Sequence, residues 1–161
     1  YILLFLVYSF YLKSEQTREG ILSCTPLTET VAERTERLLD VVGFSSEVFQ
    51  SETELAMNLS VRDVFVARII EGCNSVSVII LFISFIVGFA GRFKTTLLYI
   101  VIGSIIIYTA NIVRIAAIAL ALYKFPEYQY YLHDLLFPTL IYGLTFLLWI
   151  IWIKFFYNTQ Q

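Results

Sequence analysis

Residues 97–123 read "LLYIVIGSIIIYTANIVRIAAIALALY", and this stretch decides the class of the protein. Arg114 is its only charged side chain, and the stretch exceeds the ~20 apolar residues that a helix needs to cross a membrane. The whole chain is 58% hydrophobic and only 15% charged, whereas soluble domains are about a quarter charged. We therefore predict an integral membrane protein. The net charge of −2 gives no indication of nucleic-acid binding.

Three further apolar runs accompany this stretch, at about 1–12, 74–90 and 135–153. The first run is too short for a span, so we interpret it as part of a truncated transmembrane helix. The second, at 74–90, follows a polar region, and the last, at 135–153, ends before Lys154. Together the runs predict an all-α, multi-pass helical bundle with four visible spans, the first of them truncated.

The loop at 91–96, "GRFKTT", contains Arg92 and Lys94 and no acidic residue. By the positive-inside rule this loop faces the cytoplasm. The polar segment 13–70 is then extracytoplasmic, and residues 71–157 form a three-span transmembrane core.

The extracytoplasmic segment has patterns of its own. "TPLTETVAERTERLLDVVGF", at 25–44, places apolar residues on one face at helical spacing, and it begins with a capping threonine and a proline. This pattern predicts an amphipathic helix. Residues 46–57 and 61–69 alternate and are rich in β-branched side chains, which is typical of a short hairpin.

Arg114 and Asn111 lie three residues apart inside the third apolar run, so they share one face of a helix. An arginine within a membrane helix costs at least ~2.5 kcal/mol near the centre and indicates a functional site. The alternative is a structural arginine that reaches the membrane surface or pairs with Glu71 or Asp134.

Three reactive residues from different spans are predicted to lie at the same outer depth. Arg114 is about 26 Å along the helix from the start of its span, and Cys73 is about 28 Å from the inner loop. His133, the single histidine, is about 31 Å from Lys154. Each also has a structural alternative: Cys73 as an apolar filler or in a disulfide with Cys24, and His133 as an interfacial anchor.

A cysteine, a histidine and an arginine at one depth fit nucleophilic acyl transfer. The thiolate is the reactive form, and a permanent cation such as Arg114 favours it. His133 is suited to accept the thiol proton and return it to a leaving amine. Arg114 is equally suited to stabilise an oxyanion. The sequence has no metal-ligand spacing and no phosphate-binding loop, so we predict neither a metal nor a cofactor.

Three short motifs resemble the exosortase/archaeosortase family, and in particular its compact, exosortase F-like branch in Bacteroidetes. They are "EGCNSV" at 71–76, "ANIVRI" at 110–115 and "LHD" at 132–134. The resemblance implies that Cys73 is the nucleophile, Arg114 the oxyanion or substrate stabiliser, and His133 the general acid/base.

The resemblance also implies supporting or substrate-binding roles for Asn111, Asn74 and Glu71. Asn111 matches the asparagine of the family's arginine motif, and Glu71 matches the acidic residue before the cysteine. Asn74 occupies a position where many members have glycine or another small residue, so we expect it to influence substrate preference.

The activity implied by the resemblance is that of a membrane cysteine protease/transpeptidase. Such an enzyme cleaves a C-terminal sorting signal of exported proteins through a thioacyl intermediate and transfers the new C-terminus to an acceptor. Its partners are membrane lipid and exported proteins with a short motif, a transmembrane helix and a basic cluster. The location implied is the prokaryotic cytoplasmic (inner) membrane, with the site on the extracytoplasmic side. The alternative is a non-enzymatic membrane scaffold or assembly factor in which Arg114 is structural.

Overall fold

The computed structural model describes residues 1–16, 24–51, 54–125, 127 and 137–157. Five α-helices and three β-strands are present in these ranges. In chain order they are α1 (Ile2–Gln16), α2 (Pro26–Val41), β1 (Ser46–Gln50), β2 (Ala56–Val61), β3 (Val64–Ile70), α3 (Val76–Gly88), α4 (Phe93–Lys124) and α5 (Phe137–Ile151). A 3₁₀ turn, Glu71–Asn74, joins β3 to α3, and a π-helical turn, Trp152–Tyr157, follows α5.

The strands form one antiparallel sheet in the order β1-β2-β3. β2 and β3 are joined by a two-residue turn, Arg62 and Asp63, whose φ angles are 50° and 64°. Positive φ at both central residues is the requirement of a type I′ turn, which matches the natural twist of a hairpin. A register shift beside Leu59 and Ser60 marks a β-bulge. Among the described residues β3 pairs with β2 only, so it is an edge strand of this sheet.

The prediction of an all-α bundle with four visible spans is wrong in two respects. First, residues 46–70 hold the three-stranded sheet, because their alternating and β-branched residues suit a half-buried pleated surface. Second, two helices in the described ranges are long and apolar enough to cross a membrane, Phe93–Lys124 and Pro138–Phe155. Residues Ile2–Ser14 and Val76–Gly88 are shorter apolar helices.

Helix α3 shows why counting apolar residues overestimated the spans. The predicted span at 74–90 begins with Asn74, which belongs to the 3₁₀ turn, and Ser75, whose φ of 62° cannot continue a right-handed helix. The helix therefore has only 13 residues. At ~1.5 Å per residue it is about 20 Å long, well short of the ~30 Å hydrocarbon core.

Helix α4 is long enough to leave the membrane. Its 32 residues extend about 48 Å, while a span needs only ~20 residues. The C-terminal part of α4 contributes Ile115, Ala116 and Ala119 to a core shared with α2 and the sheet. The other members of this core are Cys24, Val31, Ala32, Leu39, Met57, Leu59, Val61 and Ile69.

A second core holds α3, α4 and α5 together. Its buried members are Phe82, Ile86, Ile107, Ile141, Leu148 and Trp152. The indole Nε1 of Trp152 donates to the carbonyl of Phe89 at 2.9 Å, and the Tyr99 hydroxyl donates to the carbonyl of Leu148 at 2.7 Å. These bonds tie the C-terminal helix to α3 and α4.

Candidate functional site

Cys73 lies in the 3₁₀ turn between the edge strand β3 and helix α3. Its side chain is half-buried and packs against the core beneath the sheet. The side-chain amide of Asn111, on α4, donates from Nδ2 to the carbonyl oxygen of Cys73 at 2.6 Å. Asn111 is itself buried. A buried amide that bonds to the main chain fixes the position of the turn, and therefore of the thiol, against α4.

Glu71 anchors the other end of the same turn to α2. Its carboxylate accepts hydrogen bonds from the backbone N–H of Thr25 at 2.6 Å and from the Thr25 hydroxyl at 2.8 Å. The Thr28 hydroxyl donates to it at 2.6 Å. A carboxylate at the start of a helix satisfies a donor that has no partner within the helix and interacts favourably with the helix dipole. The contacts that hold Glu71 are thus made with α2.

Asn74 connects the turn to α1 and α2. The residue is buried, and its Nδ2 lies 2.8 Å from the Tyr8 hydroxyl oxygen and 3.3 Å from the Thr28 hydroxyl oxygen. Its Oδ1 accepts from the backbone N–H of Val76 at 3.1 Å. This last bond, to the N–H two residues further on, is the Asx-type turn that asparagine favours. Asn74 therefore stabilises the turn through three elements at once.

Arg114 lies on α4, one helical turn beyond Asn111. It lines a cavity of about 110 Å³ together with Cys73. Its Nε is buried and has no hydrogen-bond partner within the described part of the chain. A buried donor on a charged group costs free energy unless a partner satisfies it. Arg114 thus has an unused hydrogen-bond donor, among the described residues, at the border of the cavity that Cys73 also lines.

A second, larger cavity also contacts Arg114. It measures about 270 Å³ and lies between α4 and α5. Its other lining residues are apolar: Ala110, Val113, Ala117, Leu140, Ile141 and Leu144. Arg114 is therefore the side chain that the two cavities share, with one side toward Cys73 and the other toward α5.

The two cysteines of the chain have different environments and are not joined in a disulfide. Cys24 is buried, and burial raises the pKa of its thiol to about 11, with the nearby carboxylate of Glu71 adding to the shift. Cys73 borders the cavity and is more exposed. Since the thiolate is the nucleophile, these environments leave Cys73 as the better candidate. The alternative disulfide between Cys73 and Cys24 is not what the structure shows.

Comparison with known families settles the relationship of the chain. A family model described as transmembrane exosortase matches residues 2–156. The chain belongs to the transmembrane exosortase family. The family predicted from the three motifs is therefore confirmed, and the protein is a membrane protein of this family. The comparisons with curated proteins and with solved structures gave no match.

Two of the three predicted catalytic residues of this exosortase family member can be placed. Cys73 and Arg114 line the same cavity. His133 lies outside the residues that the structure describes, as does Asp134, one of the two partners considered for Arg114. The other proposed partner, Glu71, bonds to Thr25 and Thr28 instead.

The described residues contain no group of three or more His, Cys, Asp or Glu side chains placed to hold a metal ion. Among these residues, the reactive or polar side chains at the site are the thiol of Cys73, the guanidinium of Arg114 and the buried amide of Asn111.

Some residues at the site were not predicted from sequence. Ala67, Arg68 and Ile69 of β3 line the cavity with Cys73, and Pro138 of α5 completes one wall. Thr25 and Thr28 hold the turn through Glu71. Small apolar residues and threonines have no distinctive chemical signature, so they were found only through the tertiary structure. One signal was available in the sequence. The capping sequence "CTPLT" at 24–28 predicts a helix N-terminus, whose first backbone N–H groups need an acceptor from outside the helix.

Proposed function

We propose that this exosortase family member is a membrane cysteine protease/transpeptidase that processes exported proteins. It would cleave a C-terminal sorting signal at the outer face of the cytoplasmic membrane and transfer the new C-terminus to an acceptor. The observation that carries the proposal is the cavity that Cys73 and Arg114 both line. The Cys73 side chain is half-buried, and the buried Nε of Arg114 has no hydrogen-bond partner among the described residues. Family membership supports the same reaction class.

In the proposed reaction, the Cys73 thiolate attacks the carbonyl carbon of the scissile peptide bond. Arg114 donates hydrogen bonds to the oxyanion that forms, which is the interaction that lowers such a barrier most. The tetrahedral intermediate collapses, the C–N bond breaks, and the leaving amine takes up the proton that the thiol released. His133 is the proposed carrier of that proton.

A thioester between Cys73 and the new C-terminus of the exported protein remains. An amine, a lipid nucleophile or water then attacks the thioester carbonyl, loses a proton and releases the thiolate. Asn111 would support both steps by holding the backbone carbonyl of Cys73, which fixes the turn that carries the thiol.

Depth along α4 supports a site at the membrane surface. Arg114 is 21 residues from Phe93, the first residue of the helix, which corresponds to about 32 Å. This distance matches the ~30 Å thickness of the hydrocarbon core. A peptide bond just outside a substrate's own membrane helix would lie at the same level as the cavity. The basic loop at 91–96 favours a cytoplasmic start of α4, which supports an extracytoplasmic position for the end that carries Arg114.

The test compares Cys73→Ala with Cys24→Ala in the native host. Exported proteins that lose their C-terminal helix in wild-type cells are identified by the intact masses of membrane and surface proteins. We expect Cys73→Ala to lower processing about a thousandfold or more and Cys24→Ala to leave it intact. Arg114→Ala should lower it about 10²–10³-fold at unchanged abundance of the enzyme. Normal processing in cells with Cys73→Ala would refute the proposal, and loss of folding in Arg114→Ala would favour the scaffold alternative.

A further inference from the structure

The cavity beside Cys73 is placed along one edge of the sheet. Three consecutive residues of β3, Ala67, Arg68 and Ile69, line it together with Cys73 and Arg114. Successive side chains of a strand point to opposite faces of its sheet. A cavity that contacts three successive residues therefore reaches the main chain of the strand. β2 pairs with one edge of β3, and no strand among the described residues pairs with the other edge.

Hydrogen bonds on the β1 side of β2 show which main-chain groups are paired. The N–H of Ser51 donates to the carbonyl of Ala56, and the N–H of Arg62 donates to the carbonyl of Ser45, both at 2.9 Å. The main-chain groups of Ala56, and of Arg62 just after β2, thus face β1, as do those of every second residue between them. By the alternation of an antiparallel ladder, the residues between them, such as Met57, face β3.

The register then identifies the free groups on β3. Met57 pairs with Ile69, and Leu59 pairs with Ala67, so the main-chain groups of Ile69 and Ala67 point inward. Those of Arg68 and Ile70 point away from the sheet, toward the open edge. Among the loop, turn and cap hydrogen bonds of the described residues, none involves the main chain of Arg68. The carbonyl of Ile70 accepts the first bond of the 3₁₀ turn, since Ile70 is its N-cap. The open edge thus offers the N–H and C=O of Arg68 and the N–H of Ile70 close to the cavity.

We propose that the open edge of β3 binds the recognition segment of the substrate as an additional strand. This inference rests on the proposed function and names how the exported protein is held. The occupant is an extended peptide, because only an extended main chain can pair with the spaced donors and acceptors of Arg68 and Ile70. The strand leads directly into the turn that carries Cys73, three residues after Ile70. A peptide that follows the edge therefore arrives at the thiol.

The composition of β3 also suits an edge that a bound substrate segment covers. Natural proteins usually protect an open edge with charges, prolines or a short strand. β3 has seven residues, and Val64, Phe65 and Ile70 are exposed apolar side chains. Arg68 is its single charged residue, and that side chain pairs with Glu54. Main-chain pairing would provide affinity for the substrate, while the cavity would accept one of its alternate side chains.

The first test removes one edge donor without touching the sheet. Arg68→Pro deletes the outward N–H, and proline is tolerated on an edge strand where no ladder bond is lost. Arg68→Ala is the matched control, since it removes the same side chain and the same ion pair but keeps the N–H. We expect Arg68→Pro to process the exported proteins about three- to tenfold more slowly than Arg68→Ala. Equal rates in two variants of equal abundance and thermal stability would overturn the inference.

A second test remains decisive if Arg68→Pro folds poorly. Arg68→Cys is introduced into a Cys24→Ser, Cys73→Ala background, and single cysteines are placed along the recognition segment of an exported protein that this background leaves unprocessed. We expect disulfide crosslinks at substrate positions two residues apart, the period of a paired strand. Crosslinks three or four residues apart, or none, would contradict strand addition.

The outcomes separate the inference from the proposed function. If Cys73→Ala has no effect on processing, the proposed function fails and the inference fails with it. A different result refutes strand addition alone. In that case Cys73→Ala abolishes processing, but Arg68→Pro matches Arg68→Ala and the crosslinks lack the two-residue period. The proposed protease function then stands without strand addition.

Discussion

At the scale of single residues, the candidate site depends on a few buried polar side chains that hold one turn. Asn111 bonds to the carbonyl of Cys73, and Glu71 bonds to Thr25 and Thr28. Buried polar groups are costly unless they are satisfied, so these bonds favour one position of the turn over others. The thiol is therefore positioned by contacts that its immediate sequence neighbours make with α2 and α4.

The Glu71 contacts can be tested through stability. Glu71→Gln keeps the size of the side chain but removes the charge at the start of α2. We expect it to lower the free energy of unfolding by about 1–2 kcal/mol, because three charge-assisted hydrogen bonds weaken. The measurement is thermal unfolding in detergent micelles. Glu33→Gln, an exposed residue whose ion pair with Arg37 is at the surface, is the control and should cost less than about 0.5 kcal/mol. Equal losses in both variants would show that Glu71 does not anchor the turn.

The two thiols should differ in their reaction with an alkylating reagent. In a Cys73→Ser variant, Cys24 has a pKa of about 11, so about one thiol in a thousand is ionised at pH 8. Its alkylation rate should therefore rise about tenfold per pH unit between pH 8 and 10. In a Cys24→Ser variant, Cys73 should react faster at pH 8, since it borders a cavity.

The raised pKa of Cys24 also makes the stability of the protein depend on pH. The Cys24 thiol ionises first in the unfolded chain, so its contribution to stability is present at neutral pH and is lost as the pH rises toward 11. Alkylation of Cys24 at pH 8 at the rate of an unhindered small thiol would contradict both the burial and the pKa.

At the scale of elements, close packing of α3 on α4 determines where the turn at the start of α3 can lie. Gly103 on α4 is the point of contact: a Cβ there would lie 2.3 Å from Cζ of Phe82, which is fully buried. Small residues permit this kind of close approach between helices in membranes. The helix that follows Cys73 is thus held by a glycine on the helix that carries Arg114.

Gly103→Ala should separate the two helices or force the Phe82 ring to move. We expect a loss of about 1–3 kcal/mol in stability, the usual cost of overpacking a core. Gly143→Ala on α5 is the matched control, since its Cβ would meet no atom within 4 Å. Alanine also has the higher helix propensity, so the control should be neutral or slightly stabilising. The check is thermal unfolding of both variants. A Gly103→Ala variant as stable as the control would show that the contact is looser than the structure indicates.

At the scale of the whole molecule, α4 joins two cores on opposite sides of Arg114. The core of α3, α4 and α5 includes Ile107, and the core of α2 and the sheet includes Ile115. The candidate cavity is lined by Ile69 and Ile115 of the second of these cores and by Arg114. Under the proposed function, the cavity would lie at the boundary between hydrocarbon and water, near a peptide bond beside a membrane helix of the substrate.

The two ends of α4 should be accessible from opposite sides of the membrane. In a Cys24→Ser, Cys73→Ser background, Glu47→Cys on β1 should react with a membrane-impermeant maleimide in intact spheroplasts. Lys94→Cys, near the start of α4, should react only after the membrane is ruptured, because the positive-inside rule predicts that the basic loop at 91–96 is cytoplasmic. Both cysteines react in ruptured spheroplasts, which serves as the control. The reverse pattern would place the site in the cytoplasm and refute an extracytoplasmic protease.

The sequence by itself was sufficient to predict a membrane protein and its family, and to propose the candidate chemistry. Membrane-length apolar stretches are a property of composition, and Arg114 stands out because an intramembrane charge is costly. The motifs around Cys73, Arg114 and His133 were enough to predict the family that the comparison confirmed.

The tertiary structure alone decided the strand order and register of the sheet, the true lengths of the helices and the surroundings of the thiol. Hydropathy treats each segment separately, so it counted 74–90 as a span, whereas the turn that shortens α3 is held by Tyr8, Thr28 and Asn111. The register of β2 and β3 likewise arises from pairing between segments rather than from either one. The contacts that make Cys73 a candidate nucleophile come from residues distant in sequence, and only a folded chain brings them together.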